Sequence, residues 1–174
     1  MWPILLALAF IALMLIIVIA GRPDEFTISR SADISVPPEK VFPHVNDLRQ
    51  WKTWSPWAGL DPGMKSTFSG ADAGAGAVMA WDGNNKVGAG KMAITESRPC
   101  DLIRFRLDFQ KPMQATNTVE FTFRHAGGQT VVTWSMAGKN NLTGKLFGLF
   151  MDFDKMCGGQ FERGLASLKS VAER

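Results

Sequence analysis

The chain has 174 residues, enough for one domain of ordinary size once an apolar N-terminal run is set aside. An apolar content of 46% with 12 Phe and 6 Trp is ample for a sizeable core or a lined cavity. The formal charge of +3 arises from Lys and Arg scattered among 16 acids, and the absence of a basic run interleaved with aromatics argues against a nucleic-acid partner.

Residues 1–21 carry no charged side chain, and every residue from Ile4 to Ala20 is apolar. As a helix the run is about 30 Å long, the thickness of a bilayer core. Val18-Ile19-Ala20 has the look of a signal-peptide cleavage site, but no basic segment precedes it and the run outlasts the usual hydrophobic region of such peptides. An uncleaved transmembrane anchor over 1–21 is therefore the expectation, followed by a polar linker over 22–25. Arg22, Arg30 and Lys40 follow the span, which places the soluble domain on the cytoplasmic side by the positive-inside rule, although Asp24 and Glu25 dilute the bias.

Residues 26–174 form the domain. Phe26, Ile28, Ala32, Ile34 and Val36 alternate with polar residues, a period of two that predicts a strand. Arg30 interrupts the apolar side, so the strand is expected to bend or to expose its first half. Pro37-Pro38 ends it and opens a short helix with Val41, Phe42, Val45 and Leu48 on one stripe, which Pro43 is expected to kink or divide. Trp51, Trp54 and Trp57 then fall within seven residues on a loop; they either close the open end of a core or grip a ligand.

From Lys65 to Gly138 short alternating segments are separated by turn residues, which predicts an antiparallel meander of about six strands, each apolar on one face. Ile103, Phe105, Leu107 and Phe109 against Arg104, Arg106 and Asp108 form the clearest of them. The last stretch, Leu142 to Val171, repeats apolar residues at helical spacing and places Lys145, Asp152, Lys155, Glu162 and Lys169 on a water-facing side. One unbroken helix of about 45 Å is predicted. Gly158-Gly159 inside it costs roughly 2 kcal/mol against alanine, and a kink, a close contact or a gate would each account for the pair, the kink being the simplest.

The fold class is α+β: a curved antiparallel sheet of about seven strands around a long C-terminal helix. A sheet wrapped around one helix leaves space between them. Met79 or Trp81, Met92, Ile94, Phe105, Leu107, Phe121, Phe123, Trp134 and Met136 from the sheet, with Phe150, Phe153, Cys157 and Phe161 from the helix and Trp54 and Trp57 from the loop, are the candidate lining. The same residues would equally well fill a solid core.

The segment Val36-Pro37-Pro38-Glu39-Lys40-Val41-Phe42, the Asn46-Asp47-Leu48 with Trp51 and Trp54-Ser55-Pro56-Trp57, the run Thr133-Trp134-Ser135-Met136 with Gly138 and Asn140-Asn141, and the helix opening Gly144-Lys145-Leu146 together resemble the SRPBCC superfamily. The resemblance covers residues 26–173 and implies a helix-grip fold. It is similar in particular to bacterial proteins of the polyketide cyclase type that begin with one membrane span. Members of that superfamily include ligand carriers, cyclases and activators of chaperone ATPases, so the label does not fix an activity.

Nothing in the residues adds a reaction. His44 and His125 show no spacing that would pair an acid with a base, and both are expected at the surface. Two His and two Cys, Cys100 and Cys157, form no metal-ligand or disulfide spacing, and no cofactor is implied. Gly74-Ala75-Gly76 and Gly88-Ala89-Gly90 mark turns or bulges rather than phosphate loops. The function that follows is binding of a small hydrophobic molecule or lipid by a domain tethered to the membrane. A cyclase-like enzyme and a protein-interaction module using the Trp51–Trp57 loop are the alternatives.

Overall fold

The computed structural model describes residues 2–140, 142–149 and 152–174. Helix α1 (Trp2–Ala20) is long and apolar enough to cross a membrane, with a mean hydropathy of 3.1, and its side chains are not buried against the domain. Seven antiparallel strands follow: β1 (Glu25–Ile34), β2 (Lys65–Gly70), β3 (Ala77–Asp82), β4 (Ala89–Arg98), β5 (Leu102–Lys111), β6 (Ala115–Ala126) and β7 (Gln129–Lys139). Their order in the sheet is β1-β7-β6-β5-β4-β3-β2, so the meander closes on the first strand through β7. Register shifts in β4 at Ala89/Gly90 and Ile94/Glu96 bend the sheet.

Alternation assigns the faces. Met92 and Ile94 of β4, Ile103 and Phe105 of β5, Val119, Phe121 and Phe123 of β6, and Val132, Trp134 and Met136 of β7 are buried on the concave side. The convex side carries charge, and Arg104 bridges Glu96 and Glu120 across three strands. Edge strand β2 departs from the expected pattern. It is exposed along its whole length, being the last strand at that edge of the sheet.

Helix α2 (Pro38–Asn46) starts at Pro38 and buries Val41, Phe42 and Val45. It runs through Pro43 without dividing. Pro43 and Glu39, whose carbonyl loses its helical partner, both lie on the exposed side, where water can replace the missing bond. A 3-10 turn over Leu48–Thr53 then brings Trp51 and Trp54 inward. Their Nε1 groups donate to the Val45 and His44 carbonyls, each at 2.9 Å. Both indoles pack edge-on to Phe121 and Trp134, closing one end of the core.

The C-terminal helix is two helices, not one. Helix α3 (Leu142–Phe147) ends early, and α4 (Phe153–Ala172) begins after Asp152, whose extended backbone and side chain, accepting from the Lys155 N–H at 3.1 Å, form an N-cap. The apolar periodicity continues across the break, which is why spacing alone joins the two. Helix α4, about 30 Å long, lies against β1 and buries Phe161, Leu165 and Leu168.

Arg30 neither bends β1 nor exposes its first half, since Ile28 is buried. It points inward with its apolar neighbours, and its guanidinium is held by Asp154 and Glu162 of α4, each at 2.8 Å. Gly158 makes the room: a Cβ there would collide with that guanidinium. The close contact, rather than a kink, accounts for this glycine.

Candidate functional site

Two cavities lie between sheet and helices. The inner pocket, about 200 Å³, is walled by Trp57, Trp81, Met92, Leu107, Trp134, Met136 and Cys157, all read from the sequence as lining. Met79 and Phe161, also read as lining, border it too, and Trp51, Ser55, Met64, Val87, Phe109 and Val119 complete it. Phe161 stacks on Trp134 with centroids 4.2 Å apart and planes 8° from parallel, and Trp57 meets both edge-on. Aromatic rings fix one wall while three methionines on the sheet make another that can adjust to the shape of an apolar molecule.

Other expected lining residues sit elsewhere. Trp54, Ile94, Phe105, Phe121 and Phe123 are packed within the core and border neither cavity. Trp54 is drawn away by its bond to the His44 carbonyl, and the three phenylalanines by the indoles and by Phe42, which cover them. Phe153 is half-buried and lines the second cavity. Phe150 lies outside the described residues.

The second cavity is a groove of about 870 Å³, mostly apolar with a few charged and amide side chains in its walls, open to solvent on one side. Arg22 and Pro23 of the linker, the β5–β6 hairpin with Met113, the end of β7, α3 and the first turns of α4 surround it. Phe109, Met136 and Cys157 border both cavities and stand where the two meet.

Four contacts hold the linker to this wall. Arg22 Nη1 donates to the Gly148 carbonyl at 3.0 Å, and the Asn140 N–H donates to the Asp24 carbonyl at 2.8 Å. Asn140 Nδ2 donates to the Pro23 carbonyl at 3.1 Å, and Lys145 Nζ meets Asp24 Oδ1 at 2.5 Å. Lys145, expected to face water, is buried, with 8% of its surface accessible. Asp24 explains this: a buried ammonium needs a charged partner, and the chain doubles back to provide one. The hydrogen bond from Lys145 holds the Asp24 carboxyl below the usual range.

Asn117 on β6 also borders the groove and is 7% exposed. Its cross-strand neighbour is Gly138, where any Cβ would collide with Asn117 Oδ1. Asn117 shares the inward alternation of Val119, Phe121 and Phe123, so a polar residue at an inward position was the signal that sequence reasoning passed over.

The inner pocket holds no acid–base pair among its described lining. Cys157 is its one titratable side chain, and burial, with the nearby Asp154, pushes the thiol up and keeps it protonated. Of the histidines, His125 is exposed as expected. His44 is half-buried, its Nδ1 without a partner among the described residues, and it lines neither cavity. The arrangement is suited to holding an apolar body in the pocket beside a wider groove that mixes apolar and charged side chains.

A family model described as polyketide cyclase/dehydrase and lipid transport matches residues 25–173. No curated protein sequence matches. Among solved structures, a protein from Chromobacterium violaceum is similar at 16% identity and a TM-score of 0.61, over 88% of this chain and 99% of that one. The Aha1 dimer from Colwellia psychrerythraea is similar at 18% identity and a TM-score of 0.61, over 85% and 96%. The di-domain aromatase/cyclase BexL from the BE-7585A biosynthetic pathway is similar at 14% and 0.62, over 91% of this chain and 53% of that one. At such identities these likenesses speak for the fold alone.

Proposed function

We propose that this chain, which belongs to the polyketide cyclase/dehydrase and lipid-transport family of the SRPBCC superfamily, binds a small apolar molecule or lipid and is held at a membrane by α1. The observation that carries this reading is the inner pocket, a wall of methionine and aromatic side chains, with Phe109, Met136 and Cys157 as the neck into a groove that mixes apolar and charged residues. At about 200 Å³ it lies below the roughly 300 Å³ at which pockets usually engulf a whole ligand. It therefore takes the apolar part of a molecule whose remainder rests in the groove. Trp51 and Trp54 are buried and hydrogen-bonded, which withdraws them from the role of an exposed docking loop.

Helix α1, charge-free and long enough to span, supports the tether. A pocket fixed beside the bilayer meets apolar molecules at high local concentration. The test is quenching of tryptophan fluorescence by a brominated fatty acid added to the full chain in detergent micelles, since Trp51, Trp57, Trp81 and Trp134 border the pocket. Saturable quenching at one molecule per chain supports the reading. Quenching that rises linearly, without saturation, opposes it.

A further inference from the structure

We propose that the groove is a portal facing the membrane, and that Met113 and Met156 of its wall, with Leu146 on the neighbouring helix α3, lie in the lipid interface. The proposal rests on the tether argued above and goes beyond it, because a tether alone does not say which face of the domain meets the bilayer.

Exposed apolar surface is the first observation. Outside α1, the large apolar residues left exposed among the described residues are Phe68, Met113, Leu146 and Met156, at 40 to 47%. Two of the four, Met113 and Met156, line the groove, and Leu146 is exposed on α3, the helix whose Gly144 and Lys145 line it. Phe68 is on the far edge strand, beneath the Arg49 guanidinium. Exposed apolar side chains along one groove and its neighbouring helix mark a surface meant to meet something apolar.

Chain geometry supplies the occupant. The span ends at Ala20, and the groove wall begins at Arg22, two residues on. Two residues reach no more than about 7 Å even when extended. The headgroup layer on each side of a bilayer core is roughly 5–8 Å deep. Arg22 is thus confined to that layer or its edge. The four contacts from Arg22, Pro23 and Asp24 to Gly148, Asn140 and Lys145 stop the domain from swinging away on a loose linker. Helix α1 also comes next to α3. With wall and anchor joined this closely, the apolar rim has the lipid surface as its neighbour. The neck at Phe109, Met136 and Cys157 then leads an acyl chain inward from the bilayer without passage through water, while its head remains in the groove.

The test places a fluorophore at three positions, Met113→Cys, Leu146→Cys and the control Phe68→Cys, in the full chain reconstituted into phosphatidylcholine vesicles. Native Cys100 and Cys157 are half-buried with thiols pushed up, so the new exposed thiols label first at pH 7, and wild-type chain supplies the background. Lipids spin-labelled at shallow acyl positions are expected to quench positions 113 and 146 at least twofold more than position 68. Equal quenching at all three positions, in a chain that resists carbonate extraction, overturns the portal and leaves the tether standing. Release by carbonate overturns both.

Discussion

Replacing Phe161 by alanine, and separately Phe153 by alanine, sets two identical truncations eight residues apart on one helix against each other. Phe161 is 2% exposed and stacks on Trp134 at 4.2 Å. Burial of an aromatic ring removes about 150–250 Å² from water, and at about 25 cal/mol per Å² that is roughly 4–6 kcal/mol. Phe-to-Ala truncations in cores cost about 3–5 kcal/mol. Because Phe161 already borders a cavity and lacks neighbours on that side, the lower part of the range applies, about 3–4 kcal/mol. For a domain of this size each kcal/mol moves the midpoint by about 2–4 °C, so Phe161→Ala should lower Tm by about 6–16 °C. Phe153 faces the open groove and is half-buried, and its loss should cost about 1 kcal/mol and no more than about 4 °C. Thermal unfolding of the full chain in detergent, followed by near-ultraviolet circular dichroism, measures both. Equal losses, or a shift under about 3 °C for Phe161→Ala, would refute the assignment of Phe161 to the packed wall and Phe153 to the groove.

Cys157→Phe should block the neck and abolish saturable quenching by the brominated fatty acid, whereas Cys157→Ala keeps it; the titration described above reads both. Gly158→Ala should lower Tm in the wild-type background, where the new methyl displaces the Arg30 guanidinium from Asp154 and Glu162. In an Arg30→Met background the collision is gone and the helix-propensity gain of about 1 kcal/mol remains, so the same change should raise Tm. Asp24, held below its ordinary value by Lys145, contributes stability that is present above its unfolded value of about 4 and is lost as pH falls through the lowered folded value. Asp154, lowered by Arg30, acts in the same direction. Tm should therefore fall as pH drops below about 4, and Asp24→Asn with Asp154→Asn should flatten that slope in a melt series across pH.

Much of this molecule was legible because alternation is a local signal. Ile103, Phe105 and Leu107 announce β5 without any knowledge of its neighbours, and the same period places Trp81, Met92, Trp134 and Met136 on the concave side, where the pocket forms. What escaped depends on contacts distant in sequence. Lys145 reads as a surface residue until Asp24, 121 positions earlier, is laid against it. Arg30 reads as a defect in its strand until Asp154 and Glu162 arrive from α4. The apolar spacing of α3 and α4 runs through Asp152, so only the cap geometry reveals the break. Trp54, Phe105, Phe121 and Phe123 share the face of the true lining residues. Position along the strand, and the indoles that cover them, decide that they fill the core instead.

The groove was the least visible part, because its walls come from five separate segments and only Asn117 breaks a pattern to hint at it. The central claim is that the space between sheet and helices is occupied by an apolar guest. Native mass spectrometry of the full chain, released from detergent micelles in the gas phase, tests it most directly. The account predicts a bound lipid or apolar metabolite, at one copy per chain, that is lost in Cys157→Phe. A wild-type chain that emerges at its bare mass, and matches the mass of Cys157→Phe apart from the substitution itself, would contradict it.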